Sequence, residues 1–247
     1  MEKAKKIKQI VKEKYKEIAR GGACCGCGCK CSQDISKSIG YSEEELKTAG
    51  GTNLGLGCGN PTGFGEIKEG DTVLDLGSGA GMDCFLAAKK VGKNGKVIGI
   101  DMTEEMVEMA KLYAIKQKIE NVEFLLGEVE KLPLENDSVD IIITNCVINL
   151  TPDKTKAFEE AYRVLKNGGR MYLSDIVLLG ELSKEQRNDK DLLSGCVAGA
   201  LLKDDYLDKI KKAGFSVRVL SENKEISKQQ YQGIALESLS VEATKRA

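Results

Sequence analysis

From residue 72 the chain alternates short apolar runs with amphipathic stretches, and the first junction between them reads "VLDLGSGAGMD" (73–83). The runs "TVLDLG" (72–77), "KVIGID" (96–101), "VEFLLG" (122–127), "VDIIITN" (139–145) and "RMYLSDI" (170–176) suit strands buried on both faces. Helical spacing separates them over about 80–91, 103–118 and 153–166, with Thr103 as candidate N-cap of the second helix. A βαβ order with short connections predicts a doubly wound, mostly parallel α/β sheet. Further on, a helix over 203–213, a strand "FSVRVL" (215–220) and a closing strand within 231–244 complete the pattern.

Ahead of this core, Ile7, Ile10, Val11, Tyr15 and Ile18 mark an amphipathic helix that Gly21 and Gly22 stop. "YSEEELKTAGG" has Ser42 and Glu45 in capping-box spacing and predicts a short helix. "NLGLGCGNPTGFG" reads as a glycine-rich loop. Three segments follow: N-terminal helices with a Cys-rich tract (1–50), a nucleotide-binding core (51–177) and a smaller C-terminal substrate or lid region that completes the sheet (178–247).

A formal net charge of −1 gives no electrostatic reason to expect nucleic acid or an anionic membrane as partner. No apolar run approaches the roughly 20 residues that span a bilayer, and the basic N-terminus lacks the apolar block of a signal peptide. The expected location is the cytoplasm, where thiols stay reduced. Nine cysteines there point to metal binding or catalysis rather than disulfides. The complete absence of histidine excludes a Ser-His-Asp triad, a Cys-His pair and any imidazole zinc site.

Asp75, Gly77, Gly79 and Gly81 sit where the first strand turns into its helix, a place where glycine lets the backbone approach a ligand closely. Asp101 ends the second strand, where a carboxylate can bind ribose hydroxyls. The dinucleotide fingerprint is GxGxxG; this loop reads GxGxG with an aspartate two positions upstream. That pattern resembles motif I of class I S-adenosylmethionine-dependent methyltransferases, as do "GIDMTEEMVEMAK", "GEVEKLPLENDSVDIIITN" and "AYRVLKNGGRMYLSDI" across roughly 66–177. The resemblance implies a seven-stranded Rossmann-like methyltransferase sheet with S-adenosylmethionine as cofactor. It further implies that Asp75, Gly77, Ser78, Gly79 and Asn145 contribute to the cofactor site, that Asp101 holds the ribose, and that Met102, Glu128 and Val129 enclose the adenine.

Of the cysteines outside the tract, Cys84 lies on the apolar face of "MDCFLAAKK" and reads as core. Cys58 in "LGCGNP", Cys146 in "TNCVINL" and Cys196 in "SGCVAGA" occupy loop-like settings, Cys146 at the carboxyl edge where open sheets bind ligands. These three motifs, in this order, resemble those of arsenite S-adenosylmethionine methyltransferases, and with the core the similarity runs over about 45–205. It implies that Cys58, Cys146 and Cys196 form a trithiolate site for trivalent arsenic beside the methyl donor. Arsenic(III) is thiophilic and thiolates are soft ligands. Its lone pair attacks an activated methyl without a base, so positioning at roughly 3–3.5 Å is the main task, and the missing histidine is no obstacle.

The tract "GGACCGCGCKC" (21–31) holds Cys24, Cys25, Cys27, Cys29 and Cys31. Relatives in this family carry one further cysteine upstream of "GCGNP"; Cys29 or Cys31 is the favoured counterpart, for metalloid capture or thiol relay. The expected substrate is arsenite or its thiol conjugates, and the expected partner a thiol reductant such as glutathione or thioredoxin. Deleting 1–31 is expected to alter arsenite uptake or the first methylation more than cofactor binding. Two alternatives remain: a methyltransferase for another small acceptor such as a quinone ring, and a thiol-rich metalloid-sequestering protein.

Overall fold

The computed structural model describes residues 2–21, 32–226, 231 and 233–246. The five cysteines of the tract lie outside these residues. In chain order the elements are α1 (Glu2–Ala19), α2 (Ser32–Ser38), α3 (Glu43–Ala49), α4 (Pro61–Phe64), β1 (Thr72–Leu76), α5 (Met82–Val91), β2 (Lys96–Asp101), α6 (Glu104–Gln117), β3 (Val122–Leu126) and β4 (Val139–Asn145). They continue with α7 (Lys154–Val164), β5 (Leu165–Leu178), α8 (Lys184–Asn188), α9 (Lys190–Ser194), α10 (Lys203–Lys212), β6 (Phe215–Asn223) and β7 (Leu236–Lys245).

One seven-stranded sheet results, ordered β3-β2-β1-β4-β5-β7-β6. The first five strands pair in parallel, as in Leu76 opposite Ile100 and Thr144, and β7 runs antiparallel to both β5 and β6. The period-2 alternation of side chains splits the apolar residues between two faces. Leu74, Leu76, Ile100, Ile142 and Leu173 meet Phe158 and Ala161 of α7 and Tyr206 and Ile210 of α10 on one side. Val73, Val97, Ile141 and Ile143 meet Phe85, Ala87, Val107 and Ala110 of α5 and α6 on the other. Helices therefore cover both faces, the doubly wound arrangement expected from the strand–helix alternation. Among the described residues no helix is long and apolar enough to cross a membrane.

The α3 capping box forms as expected: Glu45 N donates to Ser42 Oγ (3.2 Å) and Ser42 N to Glu45 Oε2 (2.8 Å). Elsewhere the sequence reading needs adjustment. Thr103 occupies the N-cap of α6, but its side chain makes no capping bond; its amide is instead held by the Asp101 carboxylate at 2.8 Å. The fifth strand starts at Leu165, directly after α7, and its pairing with β4 shifts register between Val139 and Ile141. The loop after Cys58 contains α4, started by Asn60, whose side-chain oxygen accepts from Gly63 N at 2.8 Å. β6 and β7 belong to the same sheet as the core, so the C-terminal region completes that sheet.

Candidate active site

At the carboxyl edge β1 turns sharply into α5. Gly77 and Gly79 adopt φ of 70° and 52°, and the amides of Gly77 and Ser78 both donate to Ile100 O, at 2.7 and 3.0 Å. The Asp101 carboxylate accepts from Gly79 N (2.9 Å) and Thr103 N (2.8 Å), which ties the glycine turn to the end of β2. No atom lies within 4 Å of the position a Cβ would take on Gly79, and the buried Ser78 hydroxyl has no partner among the described residues. Both are features of a wall shaped for a ligand.

That wall belongs to a cleft of about 1050 Å³, part of it open to solvent. All nine residues expected to hold the cofactor border it: Asp75, Gly77, Ser78, Gly79, Asp101, Met102, Glu128, Val129 and Asn145. Cys146 borders it as well. Asp75, Asp83 and Asp101 are buried, and among the described residues none of them has an ion-pair partner. Desolvation pushes all three carboxyls above their ordinary range, Asp83 to about 6 against the relief of a hydrogen bond from Tyr41 Oη at 2.7 Å. Buried carboxylates without cations favour a ligand that brings positive charge and hydroxyl groups.

Sequence reasoning missed several walls of the cavity. Lys8, Val11 and Tyr15 of α1 border it, as do Tyr41 and Asp83. Lys8 Nζ reaches Glu128 (2.8 Å) and Glu130 (3.0 Å) across the opening. An amphipathic helix carries no local sign of what its apolar face will cover, so only tertiary packing could assign this role.

Asn145, at the end of β4, spends its side chain on the protein. Its Oδ1 accepts from Cys58 N (2.9 Å) and Gly59 N (3.3 Å), and its Nδ2 donates to Gly59 O (2.7 Å) and Tyr41 Oη (3.1 Å). Ser238 Oγ of β7 donates to Cys58 O at 2.6 Å. The loop from "GLGCGNP" is thereby pinned over the sheet edge. Cys58 and Cys146 are paired as a disulfide with Cα atoms 6.0 Å apart, inside the usual spacing.

Cys196 is drawn to the same place, its Sγ donating to Cys146 O at 2.9 Å. All three cysteines are buried within one packed cluster with Leu86, Leu150 and Ile176. Cys146 and Cys196 have φ of 57° and 66°, a left-handed conformation that is costly for non-glycine residues and concentrates at functional sites. The Cys146 amide donates to Ser174 O at 2.8 Å, which helps hold that turn. Cys84 is core as expected, with its thiol donating to Asp75 Oδ2 at 3.2 Å.

A carboxylate joins the cluster. The sulfurs of Cys58 and Cys146 and one oxygen of Asp175 all lie within 4.8 Å of one another. Asp175 accepts from Asn149 Nδ2 and Tyr206 Oη, both at 2.9 Å, and burial pushes its carboxyl to about 7. Lys154 nearby donates to Asn149 O and Thr151 O, with desolvation drawing its ammonium down to about 8. An aspartate inside the otherwise apolar end of a central strand was the available signal for Asp175, but the strand pattern absorbed it.

A family model for a methyltransferase domain matches residues 67–214. An arsenite methyltransferase of Halobacterium salinarum is 46% identical over 223 residues, 84% of this chain and 57% of that protein. The human arsenite methyltransferase is 43% identical over 159 residues, 61% of this chain and 42% of its own. The chain thus spans little more than half the length of the first and less than half of the second. Among solved structures, the crystal structure of CrArsM, an arsenic(III) S-adenosylmethionine methyltransferase from Chlamydomonas reinhardtii, superposes with a TM-score of 0.65 at 33% identity. It covers 89% of this chain and 75% of that one.

Proposed function

The chain belongs to the methyltransferase-domain family, and from that premise we propose that it transfers methyl groups from S-adenosylmethionine to trivalent arsenic held on cysteine sulfur. One observation carries the reading: Cys146 borders the cavity built by the cofactor-site residues while its sulfur meets that of Cys58. A thiophilic substrate held there is adjacent to whatever occupies that cavity.

The residues present fit the cofactor. Asp101 offers a carboxylate to ribose hydroxyls, Met102 and Val129 offer apolar surface to the adenine, and Asp75 and Asp83 offer negative charge to the cationic methionine end. When bound, S-adenosylmethionine supplies an activated methyl group on a sulfonium. The protein supplies position. Asn145 and Ser238 hold the Cys58 loop, Ser174 O holds the Cys146 turn, and Cys196 is delivered by the segment after α9. Three thiolates on arsenic leave its lone pair available, and no proton need be removed from the acceptor. The trithiolate requires the Cys58–Cys146 pair in its reduced form, so a thiol reductant, glutathione or thioredoxin, belongs to the cycle. Residues 178–247 form the arsenic-binding and lid region, 1–50 carry the capture tract with Cys29 or Cys31 as relay, and the reducing cytoplasm is the working compartment.

The test is to incubate the protein with arsenite, glutathione and S-adenosylmethionine and follow products by mass spectrometry. Methylated arsenic is expected. Cofactor binding by calorimetry with no arsenical product would remove the arsenic assignment while leaving the methyltransferase family intact.

A further inference from the structure

Tyr41 lies in the turn ahead of α3 and is 4% exposed, yet its hydroxyl joins two distant parts of the chain. Tyr41 Oη donates to Asp83 Oδ1 at 2.7 Å and accepts from Asn145 Nδ2 at 3.1 Å. Asn145 in turn accepts from the Cys58 and Gly59 amides and donates to Gly59 O. A chain of hydrogen bonds thus runs from a carboxylate in the wall of the large cleft to the backbone of the Cys58 loop. A second tie makes the Tyr41 turn and that loop one unit, since Asn60 Nδ2 donates to Gly40 O at 3.1 Å and to Glu45 Oε1 at 3.2 Å.

The polarity of this chain is set at Asp83. An ionised carboxylate only accepts, so the single hydroxyl hydrogen of Tyr41 is committed to Asp83 and its oxygen is left to accept. Asn145 must then present Nδ2 to Tyr41, which turns Oδ1 toward the amides of Cys58 and Gly59. The flipped amide would set its NH2 group against those two N–H donors and its oxygen against Gly59 O. Through Tyr41, the state of Asp83 therefore decides how firmly the Cys58 loop is held.

We propose that Tyr41 is a positioning residue that couples occupancy of the methionine end of the cofactor cleft to the placement of the Cys58 loop. This rests on the reading that sets the cationic methionine end beside Asp75 and Asp83. The closed arrangement buries both carboxylates without an ion-pair partner among the described residues, which is costly. A ligand ammonium supplies the missing charge and so favours the closed arrangement over any opened one. Tyr41 passes that preference to Asn145, and the loop bearing Cys58 is fixed for its thiophilic substrate once the methyl donor is bound. The coupling is reciprocal: a substrate that fixes Cys58 tightens cofactor binding by the same factor.

Hydrogen exchange, followed by mass spectrometry on peptides containing residues 57–60, reads the loop directly. The full chain is used, with its cysteines reduced and no arsenic present, so the outcome does not depend on the arsenic assignment. Saturating S-adenosylhomocysteine, which keeps the ammonium, should slow exchange there about fivefold or more. Saturating methylthioadenosine, which keeps the adenosine and lacks the ammonium, should not. Tyr41→Phe preserves the ring and removes the hydroxyl; calorimetry should still show S-adenosylhomocysteine binding, while the slowing falls below about twofold. A Tyr41 that served structure alone would speed exchange equally with and without ligand and leave that ratio intact. Asp83→Asn, which removes the charge at the other end of the chain, should lose the slowing likewise once saturated. The proposal is overturned by an unchanged ratio in either variant, by equal slowing with methylthioadenosine, or by no slowing in the wild type. Failure of the wild type to bind S-adenosylhomocysteine by calorimetry would remove the cofactor reading itself, and the coupling with it.

Discussion

Cys146 and Cys196 hold left-handed backbone that a side chain ordinarily avoids, and both lie buried in one packed cluster. Strain of this kind persists only when surrounding bonds enforce it. Cys146→Ser and Cys196→Ser keep the backbone bonds and remove the soft ligand, the first together with the link to Cys58. Each should therefore lower arsenic methylation by about 100-fold or more, with cofactor affinity by calorimetry close to wild type; retained turnover in either would exclude that sulfur from the substrate site. Asp83 gives a second prediction. Desolvation raises its carboxyl from 3.8 to about 6, so the folded state holds the proton more tightly than the unfolded chain. The resulting stabilisation is complete below about 3.8 and is lost as pH rises through about 6. In Asp83→Asn, urea midpoints measured across that window should fall less with rising pH than in the wild type, and an unchanged slope would show that the carboxyl is not desolvated.

At the level of elements, α1 is the part whose role changed most. Its spacing marks an amphipathic helix, and the structure lays that helix against the large cavity at the carboxyl edge of the sheet. Val11 is 1% exposed, Lys8 bridges to Glu128 and Glu130, and Lys16 and Arg20 reach Glu105 of α6. Removing residues 1–31 takes α1 away together with the tract, so that deletion does not isolate the tract's contribution. Deleting residues 1–20 should raise the Kd for S-adenosylmethionine about tenfold, equivalent to 1.4 kcal/mol, as read by calorimetry. Deleting only 22–31 should leave it near the wild-type value, and the reverse result would mean α1 does not close the cavity in solution. The glycine turn and Asp101 were legible because that chemistry is local: positive φ at Gly77 and Gly79 and a carboxylate at a strand end need no distant partner. The parts contributed by α1, Tyr41 and Ser238 were not, since each reaches the site from a remote stretch of chain.

For the molecule as a whole, β7 is the strand on which the sheet's far edge depends. It lies between β5 and β6 and buries Leu236, Leu239, Val241 and Ala243. Its last residues also anchor the helical layer, since Lys245 Nζ donates to Tyr162 O and Leu165 O and pairs with Asp137 at 2.6 Å. Ending the chain after Glu225 leaves β6 without a neighbour and the β5 edge open. Such a protein should lose its cooperative urea transition by circular dichroism, whereas survival of that transition would show that β7 is dispensable to the core. The sequence by itself determined the strand–helix alternation, the glycine turn and the carboxylate at the end of β2, because periodicity and backbone freedom act over a few residues. It also marked Cys58, Cys146 and Cys196, through motifs, without showing how they meet. Only the tertiary structure decided that α1 lines the large cavity, that Asp175 stands beside two of those sulfurs, and that Cys58 and Cys146 border different cavities. Those are contacts between stretches up to 180 residues apart, as for Ser238 and Cys58, and no local preference encodes them.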